Sequence, residues 1–188
     1  MDIKYKIEFF DLWHCGSGLS AGADVDALVI KDKNNLPYVP GKTLKGLIRE
    51  AVEELISLRD EWKNCETLFV GFFGNSEDKP VGSAEMKRGV GFFTDAHINV
   101  DEAKQITDNN LSAFLYKNIA STAIDSNGIA EKGSLRRIEV TIPLTLEAEI
   151  LNIPNEDFKD LLIEALSMVK RLGVNRNRGL GRCSLTVK

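Results

Sequence analysis

The chain has 188 residues, of which 43% are hydrophobic and 28% charged, and its formal net charge is −4. Its three cysteines, Cys15, Cys65 and Cys183, form no Cys-x-x-Cys pair, and its cysteines and histidines lack metal-ligand spacing, which excludes a disulfide framework and a zinc-finger type of site. The charged N-terminus and the absence of a long apolar run lead us to expect a cytoplasmic protein without a signal peptide or a membrane-spanning segment.

Periodic apolar residues predict the secondary structure from the N-terminus onward. Alternation predicts a first strand over 3–9, and a 3.6-residue period then predicts a helix over 43–58. A shorter alternation predicts a strand within 89–96. The longest alternation, over 138–150, predicts one continuous strand.

A second helix is predicted after Pro154 and Asn155. Lys170 and Arg171 are expected in its last turn, with Gly173 as its C-terminal glycine. Alternation over 181–187 predicts the final strand.

The predicted order is strand, helix, strand, strand, helix, strand. This is the order of the ferredoxin-like βαββαβ fold, an α+β fold in which two helices cover one face of a four-stranded antiparallel sheet. The length favours a single domain over 1–188, with insertions at about 15–40, 58–88 and 97–136. Connections this long in a compact domain carry function or are disordered, whereas the fold itself specifies no function.

The segment 170–182 concentrates positive charge and glycine in an acidic protein. It contains five Lys or Arg residues, three glycines and no Asp or Glu. Glycines allow backbone N–H groups to approach phosphates, so the segment predicts an anion-binding loop. The alternative is a solvated basic surface with ordinary turns.

A second basic feature lies at the start of the first helix. Pro40-Gly41-Lys42-Thr43 resembles the end of a nucleotide-binding P-loop, but Leu36 stands where that motif requires its first glycine. The segment therefore predicts a helix N-terminus with Lys42, Lys45 and Arg49 on its exposed side. Such an end favours phosphate contact, and a capped helix with a solvated basic face is the alternative.

Six motifs follow one another along the chain. They are His14-Cys15-Gly16-Ser17-Gly18, the segment 25–49, Phe73-Gly74-Asn75-Ser76, Phe92-Phe93-Thr94-Asp95-Ala96, the segment 123–136 and the glycine-rich ending. In this order they resemble the RAMP superfamily, and most closely the guide-RNA-binding backbone subunits of type III CRISPR effector complexes. Lys42 and Thr43 depart from the serines that many members carry at these positions.

The resemblance implies an RRM-like domain that lies along a CRISPR RNA with copies of itself and other effector subunits. The loop over 119–136 corresponds to a thumb-like hairpin between the guide and the target RNA. The implied RNA-binding residues are Lys42, Thr43, Lys45, Arg49, Lys132, Arg136, Arg137, Arg176, Arg178, Gly179, Gly181 and Arg182.

Asp26 matches the loop aspartate with which family members cut target RNA, through metal-dependent attack of a ribose 2′-OH on the adjacent phosphate. The resemblance thus implies a divalent metal ion such as Mg²⁺ and no organic cofactor. The residue alone leaves the role open, because an aspartate in a glycine-containing loop also serves as a turn residue.

Two alternatives therefore stand beside the catalytic hypothesis for Asp26. In the first, the chain is an architectural RNA-binding subunit without catalysis. In the second, His14 acts as an acid or base in processing precursor CRISPR RNA, as histidines do in related RAMP endonucleases.

Overall fold

The computed structural model describes residues 1–22, 24–75 and 88–188. In chain order the elements are β1 (Ile3–Phe9), α1 (Gly41–Leu58), α2 (Glu66–Phe73), β2 (Phe92–Phe93), α3 (Val100–Asp108), β3 (Tyr116–Ser121), β4 (Arg136–Thr141), β5 (Thr145–Leu151), α4 (Glu156–Met168) and β6 (Cys183–Val187). Short 3₁₀ segments lie at Asp60–Cys65, Ser112–Leu115 and Arg176–Arg178.

The main sheet is antiparallel and has the strand order β2-β5-β1-β6. Odd-numbered residues of β1 face the core, and α1 and α4 pack against the same side of the sheet, with contact between the two helices. The predicted α+β class and ferredoxin-like fold are confirmed. No helix within the described parts of the chain is both long enough and apolar enough to span a bilayer.

The alternation over 138–150 does not form one strand. β4 ends at Thr141 and pairs with β3 in a separate two-stranded sheet, whereas β5 begins at Thr145 and pairs with β1 and β2. Pro143 lies between them, and a proline has no N–H to donate to a sheet ladder. The prediction of a continuous strand was therefore wrong, and its two halves belong to different sheets.

The corner between β4 and β5 is held by Trp13. Its main chain exchanges hydrogen bonds of 3.0 and 2.7 Å with Thr141, and its indole N–H donates to the Ile142 carbonyl at 3.1 Å. The Trp13 ring is fully buried and stacks on Phe9, with ring centroids 4.3 Å apart. One aromatic residue thus joins the two sheets.

The helix α4 begins as predicted but ends early. The Asn155 side chain caps its first turn by accepting the Phe158 N–H at 2.9 Å. Val169 is already extended, so Lys170 and Arg171 lie beyond the helix and the prediction that they form its last turn was wrong. Burial of Val169 and Leu172 draws this segment onto the core instead.

The long connections contain elements of their own. α2 lies in the second, and α3 and β3 lie in the third. β3 and β4 form an antiparallel hairpin, as predicted for 119–136, and the Asp125 side chain shapes its tip by accepting the N–H groups of Asn127 and Ile129. Ser76 of the 73–76 motif and the remainder of 76–87 lie outside the described residues.

Candidate nucleic-acid interface

The segment that follows β1 joins three parts of the predicted site. The His14 carbonyl accepts the Val174 N–H of the glycine-rich ending at 2.9 Å, and the His14 ring nitrogen Nδ1 lies 2.6 Å from the Glu139 carbonyl oxygen on β4. The carbonyl of the next residue, Cys15, accepts the Ile30 N–H at 2.8 Å. This bond attaches the loop that contains Asp26 to the same segment. Segments far apart in sequence therefore meet at 14–15.

The N-terminus of α1 lies near the same segment. Burial raises the pKa of the Cys15 thiol to about 11, and the positive charge of Lys42 opposes this shift. Lys42 itself is exposed. The basic end of α1 therefore lies near Cys15, and the glycine-rich ending is bonded to His14.

Two N–H groups at the start of α1 already have acceptors. The Gly41 N–H donates to the Asp95 carboxylate at 2.7 Å, and the Thr43 N–H donates to the Pro40 carbonyl at 2.9 Å. Asp95 also places a negative charge at this helix end, where the helix dipole favours one. A phosphate at this end would therefore meet the side chains of Lys42 and Thr43 rather than these two N–H groups.

The three glycines of the ending have different surroundings. A Cβ at Gly173 would clash with the His14 carbonyl, and a Cβ at Gly181 would clash with the Leu172 carbonyl. Gly179 has a φ of +94°, and a Cβ added there would meet no described atom within 4 Å. Gly173 and Gly181 thus serve close backbone packing, whereas Gly179 leaves open space at the exposed turn that carries Arg176 and Arg178.

Two of the predicted RNA-binding arginines form ion pairs within the chain. Arg49 lies 3.1 Å from the Glu53 carboxylate and donates to the Gly74 carbonyl, with its side chain 16% exposed. Arg182 lies 3.2 Å from the Asp11 carboxylate, with its side chain 57% exposed. A phosphate must compete with these carboxylates, so Arg176 and Arg178 are the stronger candidates for direct contact.

Lys45 is partly buried beside Arg49. Burial lowers the pKa of its ammonium group, and the charge of Arg49 lowers it further. A phosphate near these two cations would favour the charged form of Lys45. Three other predicted cations, Lys132, Arg136 and Arg137, are exposed along the β3–β4 hairpin.

Asp26 is exposed and bonded to the base of that hairpin. Its carboxylate oxygen Oδ2 accepts the Arg137 N–H at 2.7 Å, and its own N–H donates to the Arg137 carbonyl at 2.8 Å. In the described ranges no group of three or more His, Cys, Asp or Glu is arranged for a metal ion. A single carboxylate fits Mg²⁺, which commonly takes one or two carboxylates and completes its shell with water and phosphate oxygens.

His14 has a different environment. His14 is only 2% exposed. Its Nδ1 must carry a hydrogen, because the Glu139 carbonyl oxygen 2.6 Å away can only accept one. A general acid or base must reach its substrate directly or through one water molecule. The burial of His14 therefore favours a structural role in joining the glycine-rich ending to β4.

Sequence reasoning missed Glu139 and Lys31. The Glu139 carboxylate lies 2.8 Å from the Lys31 ammonium and accepts the Val29 N–H at 3.0 Å, and the two side chains are only 12% and 24% exposed. The sequence signal that could have indicated Glu139 was a single glutamate between the apolar residues Ile138 and Val140 in a predicted strand. Its partners lie more than 100 residues away in sequence, where no periodicity could indicate them.

The sequence matches known proteins over most of its length. The RAMP superfamily model matches residues 6–184. The CRISPR system Cms endoribonuclease Csm3 of Streptococcus thermophilus is 27% identical over 196 residues, which cover 94% of this chain and 86% of that protein.

Two solved structures show the same fold. A chain of Type III-B Cmr-beta bound to cognate target RNA has a TM-score of 0.70 at 12% identity, and a chain of the apo state has a TM-score of 0.67 at 14% identity. Each comparison covers 100% of this chain and 97% of the other. Because the family model spans nearly the whole chain, from within β1 to within β6, the chain belongs to the RAMP superfamily.

Proposed function

We propose that the chain is a guide-RNA-binding backbone subunit of a type III CRISPR effector complex. The observation that carries this proposal is the similarity to a CRISPR-system endoribonuclease along 94% of the chain. In this function the chain lies along a CRISPR RNA in the cytoplasm, beside copies of itself and other effector subunits, and also meets the target RNA.

The arrangement of cations supports binding to the RNA backbone. Arg176 and Arg178 lie on an exposed turn, and Lys42 lies near the segment to which that turn is attached. Contacts from such residues to phosphates position an RNA without distinguishing its bases. We therefore expect binding that depends weakly on RNA sequence and strongly on salt.

Replacing Arg178 with alanine tests this expectation. Loss of one phosphate contact should weaken binding to unrelated single-stranded RNAs by similar factors, and should reduce the slope of log affinity against log salt by about 0.7. Fluorescence anisotropy at several salt concentrations measures both quantities. Lys63→Ala is the matched control, because Lys63 is exposed and pairs with Asp60 on the Asp60–Cys65 segment. An unchanged slope for the Arg178 variant, or an equal change in the control, would contradict the predicted contact.

We further propose that Asp26 carries target-RNA cleavage. Oδ2 is bonded to the Arg137 N–H, and the carboxylate has no ion-pair partner among the residues described, so Oδ1 remains available for a divalent ion. The ion would stabilise negative charge on the phosphate. The ribose 2′-hydroxyl would give its proton to water as its oxygen bonds to phosphorus. The 5′-oxygen would take a proton from water as its bond to phosphorus breaks, leaving a 2′,3′-cyclic phosphate and a 5′-hydroxyl.

A purely architectural function is the second candidate. It is favoured by the hydrogen bond from Arg137 to Asp26, which gives this carboxylate a structural role that needs no catalysis. Incubation of the assembled complex with labelled target RNA separates the two functions. We expect cleavage with Mg²⁺ that stops with EDTA, whereas an intact, bound target in both conditions would establish the architectural function.

Guide processing by His14 is tested separately. The isolated protein is incubated with precursor CRISPR RNA in EDTA, and we expect the RNA to remain intact because His14 is buried. Metal-independent cleavage that is lost in His14→Ala would overturn this expectation.

A further inference from the structure

Glu139 makes more connections than any role in strand pairing requires. Its main-chain N–H donates to the Ala27 carbonyl at 3.0 Å, and its main-chain oxygen lies 2.6 Å from His14 Nδ1. Its carboxylate accepts the Val29 N–H at 3.0 Å through Oε2 and binds Lys31 at 2.8 Å through Oε1. One residue on β4 therefore bonds to the Asp26 loop at 27, 29 and 31.

The partner Lys31 is enclosed between two groups. Its ammonium nitrogen lies 3.8 Å from the ring centroid of Tyr116, on the neighbouring strand β3, while the Glu139 carboxylate contacts the same nitrogen. The Tyr116 hydroxyl donates to the Asn35 carbonyl at 2.7 Å. This bond attaches the connection that contains Asp26 to β3 near the end of that connection. Lys31 is thus occupied within the protein, although its charge alone would suggest an RNA contact.

A mostly buried ion pair is a poor source of stability, because removing two charges from water offsets much of their attraction. Such a pair is better explained by the geometry that it imposes. Here its two members lie on the thumb-like hairpin and on the connection that contains Asp26. Two residues before Glu139 on β4, the main chain of Arg137 bonds to Asp26 directly.

We propose that Glu139, through its pair with Lys31, is a positioning residue that fixes the Asp26 loop to β4, so that hairpin and loop present Asp26 to the RNA as one unit. The consequence for catalysis rests on the proposed cleavage by Asp26. The attachment of the loop to β4 does not depend on that proposal, because it is a set of contacts within the protein and needs no RNA.

Glu139→Gln tests the attachment in the full-length protein. Glutamine has one acceptor oxygen for two donors, and its NH₂ group faces Lys31 unfavourably. Hydrogen exchange measured by NMR should show the Val29 amide exchanging about tenfold faster. Glu149→Gln is the matched control, because Glu149 pairs with Lys4 at 3.2 Å on the main sheet. Unchanged Val29 exchange in Glu139→Gln would overturn the proposal.

Lys31→Met provides the companion variant. Alone it leaves the Glu139 carboxylate without its cation, so we expect faster Val29 exchange. Added to Glu139→Gln it removes the facing donor, so the glutamine oxygen can accept the Val29 N–H and exchange should return toward the wild-type rate. Additive losses in the double variant would contradict a specific pair, since residues that act together are not additive.

Cleavage by the assembled complex gives the second readout. With target RNA saturating and Mg²⁺ present, Glu139→Gln should lower the single-turnover cleavage rate by about 100-fold, as small misplacements of a catalytic group do. Target affinity should stay within about twofold, because neither Glu139 nor Lys31 is placed in the RNA-binding set. An unchanged cleavage rate beside faster Val29 exchange would overturn the positioning of Asp26. A wild-type complex that never cleaves would instead refute the proposed catalysis and leave the exchange result standing.

Discussion

Replacing Asp26 with asparagine should stop target-RNA cleavage while the loop stays attached to the hairpin. The asparagine side-chain oxygen can still accept the Arg137 N–H, so the 2.7 Å hydrogen bond has a replacement. The negative charge that would hold a divalent ion against the phosphate is lost. Because a metal acting on a phosphoryl oxygen contributes several kcal/mol, we expect the single-turnover rate to fall by about a thousandfold or more.

Comparison with Asp26→Ala separates the chemical role of this carboxylate from its structural role. Alanine removes both the charge and the acceptor, so it should abolish cleavage and also speed exchange of the Arg137 amide, which Asp26→Asn should spare. Asp24→Ala is the control, because Asp24 is an exposed carboxylate in the same loop. If Asp26→Asn cuts at the wild-type rate and only Asp26→Ala fails, Asp26 is a structural residue and the proposed catalysis is wrong.

The second large effect concerns the stability of the glycine-rich ending. Gly181→Ala would bring a Cβ into the Leu172 carbonyl at a backbone φ of +70°. Left-handed conformation costs a non-glycine residue about 1–2 kcal/mol, and overpacking adds about 1–3 kcal/mol. We therefore expect the free energy of unfolding to fall by about 2–5 kcal/mol in urea titrations.

Gly179→Ala is the matched control for this stability prediction. Gly179 has a φ of +94° but no described neighbour within 4 Å of an added Cβ, so only the conformational cost of about 1–2 kcal/mol applies. The midpoint of thermal unfolding should fall by about 2–4 °C per kcal/mol in a protein of this size. Equal destabilisation by the two variants would show that close packing at Gly181 is unimportant.

Much of the fold could be predicted because local periodicity follows burial. The even positions of β1 are exposed and its odd positions are buried, and the predicted stripe of α1 contains the buried Leu44, Ile48 and Leu55. The alternation over 138–150 misled for a physical reason. Both halves have one apolar face, but only Pro143 marks the point at which the chain changes sheets.

The site was less predictable because it depends on contacts between distant segments. Collinear motifs indicated the family and the residues around Asp26, yet no local pattern could show that Glu139 binds Lys31 or that Asp95 occupies the start of α1. The glycines illustrate the same limit. A sequence reveals that Gly173 and Gly181 are glycines, but only the neighbouring carbonyls explain why a side chain has no room there.

The corner at Pro143 determines which parts of the hairpin can be removed by protein engineering. Deleting the whole of 116–141 would take away Thr141, the main-chain partner of Trp13, and would leave this fully buried tryptophan without its neighbour. Shortening the tip alone is different, because the hydrogen bonds that the Asn127 and Ile129 N–H groups donate to Asp125 lie within the tip. A shortened hairpin joined between Ser121 and Arg136 would keep the whole β3–β4 ladder. It would also keep the bonds between Thr141 and Trp13 that join the two sheets.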